Sequence, residues 1–266
     1  MANMPLVDFF GHKISRLIMG GNPFSGNSHI DAKLDGEMAD YYTTENIKKA
    51  IIHAQECGIN TIQVRGDVHI LRILRELKNE GKAPMWVAQT ASELQLDYNL
   101  RRIMPADPIA IYHHGSITDN YYQAGKMDEL HDRIKMIRDT GKPVGLGTHI
   151  PEVIDYAEDH GWEVDFYMAC VYNISNKDRG GVDYGREPFF ESDIPIMLDK
   201  IKSVDKPCLA FKILGATRRC QTLETVRAAF EQAYSNIKPC DSVVVGIFQR
   251  DKDQIAENAK IVSEIG

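Results

Sequence analysis

A single-domain (β/α)8 barrel over residues 1–266 is the fold that this sequence predicts, on three observations. Short apolar runs of strand length recur about eight times, each ending in glycine or polar residues. Segments with apolar residues at helical spacing lie between them, and no low-complexity spacer divides the chain. The clearest run is Pro108 to Tyr112, which ends in His113-His114-Gly115-Ser116. A doubly wound open sheet is the alternative, but no G-x-G-x-x-G follows the first strand.

Taken in order, Val7–Phe10 and Lys13–Arg16 around Gly11-His12 predict a hairpin, and Leu17–Gly21 the first barrel strand. Asn22–His29 is a turn-rich loop long enough to be a binding element. Thr44 caps a helix over about Glu45–Cys57, with Ile47, Ala50, Ile51 and Ala54 on one face. Thr61–Arg65 is strand two, and Gly66-Asp67 opens a helix through Leu77. Met85–Gln89 is strand three, and the Pro108 run is strand four. A helix follows over Met127–Thr140, stopped by Gly141. Val144–His149 is strand five, and Pro151 starts a helix that runs to Asp159. Val164–Asn173 is strand six, followed by a long loop, Ile174–Asp193, whose Lys177, Arg179 and Arg186 suit an anion clamp. Cys208–Leu214 is strand seven, Leu223–Ser235 a helix, Ser242–Phe248 strand eight, and the last helix begins at Asp253.

Composition narrows the function classes. Thirty-one Lys and Arg against 38 Asp and Glu give a net charge of −7 with no basic block, which argues against nucleic acid as a partner. Five scattered cysteines, without a C-x-x-C pair, fit reduced thiols and a cytoplasmic location. No apolar stretch approaches the roughly 20 residues of a membrane span. A small-molecule substrate is the expected partner, and oligomeric state stays open.

Several segments resemble the aldo/keto reductase superfamily. Ile14 to Asn22 is similar to that family's opening strand, Gly58 to Gln63 to its helix-to-strand turn, Asp165 to Asn173 to its sixth strand, and Val245-Gly246 with Glu257-Asn258 to its closing signature. The resemblance implies an oxidoreductase using NAD(P)(H), with Thr148 at the amide-binding position, Phe211 stacking on a flat ring, and Glu257 and Asn258 at an adenine. The family's catalytic tetrad is largely missing. Its aspartate position falls on Gln63, its tyrosine position on or next to Val68 and its lysine position near Gln89, residues that supply neither proton nor charge, and only its histidine remains, as His113.

Active sites of barrels sit at the carboxyl ends of the strands, so polar residues there are candidates by position. His113 is expected as acid/base or carbonyl-orienting group, Asp67 in proton transfer, with helix capping its competing role, and Lys212 as a Schiff-base amine or anion partner. Strand alternation forbids Phe211 and Lys212 from both facing inward, and it sends His114 away from the face of His113. Arg65, Gln89, His149, Asn22 and Asn173 are candidates for substrate binding. His29, His69, His113 and His149 follow four different strands, which leaves a divalent metal open, but no ligand-spaced motif is present and no metal residue is assigned. The expected function is a divergent reductase-like enzyme acting on a small polar carbonyl or sugar-like compound. The alternatives are a lyase or isomerase using the rim histidines, with or without a metal, and a non-catalytic ligand-binding barrel.

Overall fold

The computed structural model describes residues 4–176 and 187–266. Its chain opens with an antiparallel hairpin, β1 (Leu6–Phe9) and β2 (His12–Ser15), turned by Phe10 and Gly11 at positive φ. Eight parallel strands then close into a barrel: β3 (Leu17–Gly20), β4 (Thr61–Arg65), β5 (Met85–Gln89), β6 (Ala110–His113), β7 (Val144–Thr148), β8 (Phe166–Cys170), β9 (Cys208–Phe211) and β10 (Ser242–Gly246). The ring shuts through the ladder of β10 on β3, with Val243 opposite Leu17 and Gly246 opposite Gly20.

Around the barrel lie α1 (Ala32–Tyr41), α2 (Thr44–Glu56), α3 (Val68–Asn79), α4 (Leu96–Ile103), α5 (Gly115–Gln123), α6 (Met127–Arg138), α7 (Pro151–Asp159), α8 (Asp193–Ser203), α9 (Leu223–Asn236) and α10 (Gln254–Ile265). The cap of α2 is Thr43, one residue before the expected Thr44, and its hydroxyl accepts from the Asn46 amide. The helix α5 falls on residues that read as the polar tail of strand four, and α1 on residues with little apolar periodicity. Predicted strands six, seven and eight are longer than the observed ladders, because pairing stops at Cys170 opposite Phe211 and at Gly246 opposite Gly20. The rest of each run forms the rim.

Two separate apolar layers result. Between barrel and helices, Ile111, Leu146, Tyr167 and Val245 pack against Leu130, Ile134, Val153 and Ile255. Inside the barrel, Ile18, Val87, Ala110, Tyr112, Phe166, Met168, Leu209 and Val244 form the second layer. The hairpin closes the amino-terminal end of that interior: Phe9 is 1% exposed and meets the Phe166 ring edge-on at 5.1 Å. With the bottom plugged, the cavities described below lie at the rim formed by the carboxyl ends of the strands. Among the described residues no helix is long and apolar enough to cross a membrane.

Candidate active site at the carboxyl rim

Two adjoining cavities, of about 190 and about 260 Å3, occupy that rim. They share Asn22, Asn27, His29, Gln63, Phe211 and Lys212 as a common wall. The larger is polar, with Arg65, Gln89, Ser92, Tyr112, His114, Ser116 and His149 in its lining. Gln63 spans the barrel interior to donate to the Tyr112 hydroxyl at 2.7 Å.

Lys212 sits at the centre of the wall because the strand ends one residue before it. Phe211 is the last ladder residue of β9, and Lys212 takes φ +64°. Alternation of side chains holds only while the backbone stays extended. The left-handed turn rotates Lys212 to the side that Phe211 already faces, and both line both cavities. This corrects the expectation that one of them points away.

The ammonium of Lys212 is buried and donates to both oxygens of Glu187. His29, which also adopts positive φ, places Nδ1 2.8 Å from the same carboxylate, and the Tyr172 hydroxyl donates to it at 3.2 Å. Burial alone would raise the Glu187 carboxyl, but Lys212 and His29 outweigh it and hold the group well below the usual carboxylate range. Burial, with Lys212 nearby, pushes His29 below its ordinary value.

A second polar cluster stands at the end of β7. Asp119 of α5 is 1% exposed and accepts from Thr148 Oγ1 at 2.6 Å and Ser175 Oγ at 2.7 Å, while His149 Nδ1 lies 2.7 Å from Oδ2. An ionised carboxylate only accepts, so the proton of a neutral His149 sits on Nδ1 and Nε2 is left as a base. Nε2 has no protein partner among the described residues, and the His149 ring lines the polar cavity edge-on to Phe211, 5.5 Å between centroids. The helix can approach this closely because Gly147 and Gly115 lack a side chain. A Cβ at Gly147 would stand 2.7 Å from the His113 carbonyl, and one at Gly115 would stand 3.2 Å from the His149 ring.

His113 does not reach the mouth. It shares the face of Ile111, as strand parity requires, but that face packs against the helices rather than the barrel interior. It is fully buried, and Nδ1 lies 2.8 Å from the Thr118 hydroxyl, which itself donates to the His114 carbonyl. Its Nε2 accepts from Arg133 at 2.8 Å. Burial, with Arg133 beside it, drives its basicity far down, so it is held neutral as a strut between β6, α5 and α6. His114, expected to point elsewhere, is the histidine of this strand that lines the cavity.

The other expectations divide in the same way. Asn22, Arg65, Gln89, His149, Phe211 and Lys212 all border the cavities. Asp67 caps α3 through the Ile70 amide and pairs with Arg65, and it stands outside the cavity lining. Asn173 spends its Oδ1 on the Ser175 amide. Thr148 is fully buried behind the wall, bonded to Asp119, while Glu257 pairs with Lys252 and Asn258 is buried within α10. Of the four expected cofactor contacts, Phe211 alone borders the cavity. His69 is on the exposed face of α3, so the four histidines do not converge, and among the described residues no group of three or more His, Cys, Asp or Glu is placed to hold a metal ion. Lys177, Arg179 and Arg186 of the expected anion clamp lie outside the described residues.

Glu187, Asp119 and Ser175 went unrecognised in the sequence. Asp119 and His149 are separated by 30 residues and join only when α5 folds back over β7, a distance that no spacing rule covers. Glu187 is one of five acids, with Asp178, Asp183, Glu191 and Asp193, in a loop whose three basic residues carry the anion-clamp reading.

No family model matches the chain, and no curated protein matches it. Similar solved structures include a truncated 3-deoxy-D-arabino-heptulosonate 7-phosphate synthase from Thermotoga maritima, at 15% identity and TM-score 0.57, covering 98% of this chain and 90% of that one. Dihydropteroate synthase from Yersinia pestis matches at 10% identity and TM-score 0.59, covering 98% and 97%. A putative deoxyribose-phosphate aldolase from Coccidioides immitis matches at 10% and 0.54, covering 99% and 91%. At such identities the likeness establishes the barrel fold. These neighbours are synthases and an aldolase rather than aldo/keto reductases, and this corrects the expected family and its oxidoreductase activity. The short apolar segments behind that expectation are what any barrel strand contains.

Proposed function

We propose that this protein is an enzyme of the lyase or isomerase type that moves a proton at the carbon next to a carbonyl. One observation carries the reading: a buried Asp119–His149 pair presents a free imidazole nitrogen to the cavity that also holds the Lys212 ammonium. Asp119 fixes the tautomer and balances the imidazolium that forms when His149 Nε2 takes the proton. Loss of that proton puts negative charge on the carbonyl oxygen. Lys212, ion-paired with Glu187, stabilises that oxygen from the other side of the cavity. Return of the proton to the same or the neighbouring carbon gives isomerisation, and expulsion of a hydroxyl from the carbon beyond, which leaves as water with the proton held by His149, gives a lyase reaction. A protonated Lys212 is a poor nucleophile, so the geometry favours this electrostatic role over a Schiff base.

The neighbouring synthases and aldolase are barrels with chemistry of this general kind in their names, which supports the class and not the substrate. Arg65, Gln89, Ser92 and Ser116 around the polar cavity suit a hydroxylated carbonyl compound. The test is hydrogen–deuterium exchange at the carbon next to the carbonyl of small hydroxyketones, followed by NMR in heavy water. Exchange should occur with the native protein and fall by about 100-fold or more in His149→Ala, the usual yield of a general base. Exchange that persists undiminished in a folded His149→Ala protein removes the reading.

A further inference from the structure

The smaller cavity differs in character from the larger. Beyond the shared wall it is bounded by Leu34 and Met38 of α1, Ile213 and Leu214 after β9, and Val245 and Phe248 at the end of β10. Proton transfer at a carbonyl needs none of these side chains. Its accessible lining is mostly apolar, so an apolar group that enters it exchanges water for apolar surface. An apolar cavity of about 150 Å3 accepts a benzene-sized guest, and this one measures about 190 Å3.

A second observation concerns the loop that forms one side of it. Lys212, Gly215, Ala216 and Thr217 all have positive φ, at 64°, 61°, 46° and 74°. Left-handed backbone is uncommon for alanine and an outlier for a β-branched threonine. Such conformations persist where the surrounding structure imposes them, and they cluster at ligand-binding segments. This loop holds Lys212 toward the polar half and Ile213, Leu214, Ala216 and Thr217 toward the apolar half. It is shaped around both spaces at once.

We infer that the substrate is amphipathic, with a polar carbonyl head at Lys212 and His149 and an apolar or aromatic group seated in the chamber between α1, β10 and the loop after β9. The inference rests on the proton-transfer reading for the position of the head, and the chamber then sets specificity. Leu34 is a half-buried wall residue. It lies on a helix outside the barrel, so Leu34→Trp fills the space without touching the core.

The test uses two neutral probes with the same head, hydroxyacetone and 1-hydroxy-4-phenylbutan-2-one, with affinity from calorimetry and proton exchange from NMR. The phenyl probe should bind at least about tenfold more tightly, as burial of a ring that size implies. Leu34→Trp should erase that advantage and leave hydroxyacetone unchanged. Equal affinity for the two probes, or an advantage that survives Leu34→Trp, overturns the inference even if both undergo exchange, and the proton-transfer reading then stands alone. Tight binding of the phenyl probe that Leu34→Trp abolishes, without exchange of either probe, supports the chamber and removes the proton-transfer reading. Stabilisation by NADPH that Leu34→Trp abolishes, with no discrimination between the probes, assigns the chamber to a dinucleotide and overturns the inference as well.

Discussion

Thr217 shows at the scale of one residue how this site is held. Its φ of +74° places a β-branched side chain where L-residues rarely go, at a cost of about 1–2 kcal/mol. Neither its hydroxyl nor its methyl explains the choice, since the bond that the residue contributes is its carbonyl, which accepts from the Cys220 amide. Thr217→Gly keeps that carbonyl and relieves the strain. It should raise stability by about 1 kcal/mol, read as a higher denaturant midpoint at unchanged slope. A midpoint that falls would mean that the threonine side chain supplies packing that outweighs its backbone strain. The same left-handed geometry at Lys212 is why two adjacent residues share one cavity, and the alternation rule could not anticipate it. Propensity scales rank residue types in regular elements and are silent on a single rotated peptide.

At the scale of elements, the hairpin β1–β2 acts as the floor of the barrel. Phe9 and Ile14 enter the interior layer beneath Phe166, so the hairpin belongs to the core although it adds no strand to the ring. Phe9→Ala should cost about 3–5 kcal/mol, the range for a buried aromatic deletion, measured by urea unfolding. Proton exchange by the folded variant should be unchanged, because the plug and the rim lie at opposite ends of the strands. A loss of exchange in the folded state would mean that the interior layer transmits displacement to Tyr112 and Gln63 at the rim. The eight barrel strands were legible because each is a short apolar run closed by glycine or polar residues. The helices α1 and α5 were not, since their buried contacts are few: Met38 in α1, and Gly115, Thr118 and Asp119 in α5.

For the whole molecule the main electrostatic consequence is a dependence of stability on pH. His114 is brought down to about 4 by burial, with His149 and Arg65 adding to it, and its Nδ1 is buried with no partner among the described residues. His113 and His29 are lowered too, burial leading in both. In the unfolded chain each would titrate near 6.5. At higher pH both states are neutral and these groups exert no pull. As the pH falls below about 6.5 the unfolded chain takes up protons that the folded one refuses, so stability declines toward pH 4, by about 3 kcal/mol for His114 alone. Glu187, also lowered, adds its loss only beneath the ordinary carboxylate range. Urea midpoints between pH 7.5 and 4.5 should therefore fall in the native protein, and less steeply in His114→Gln. Identical slopes for the two proteins would show that His114 is not the group responsible.

By itself the sequence determined the ring of eight strands, six of the helices (α2, α3, α6, α7, α9 and α10) and the end of the barrel where polar residues collect. All of these follow from periodicity and local turn chemistry, which act over a few residues. It also placed Arg65, Gln89, His149, Phe211 and Lys212 at the rim. Tertiary structure alone decided which histidine of the His113-His114 pair faces the cavity, because parity orders the faces of a strand but does not say which is inside. It alone joined Asp119 to His149 and Glu187 to Lys212, since both contacts span loops whose paths depend on packing. The apolar chamber beside the polar one likewise exists only once α1, β10 and the loop after β9 enclose it, three segments far apart in the chain and separately unremarked.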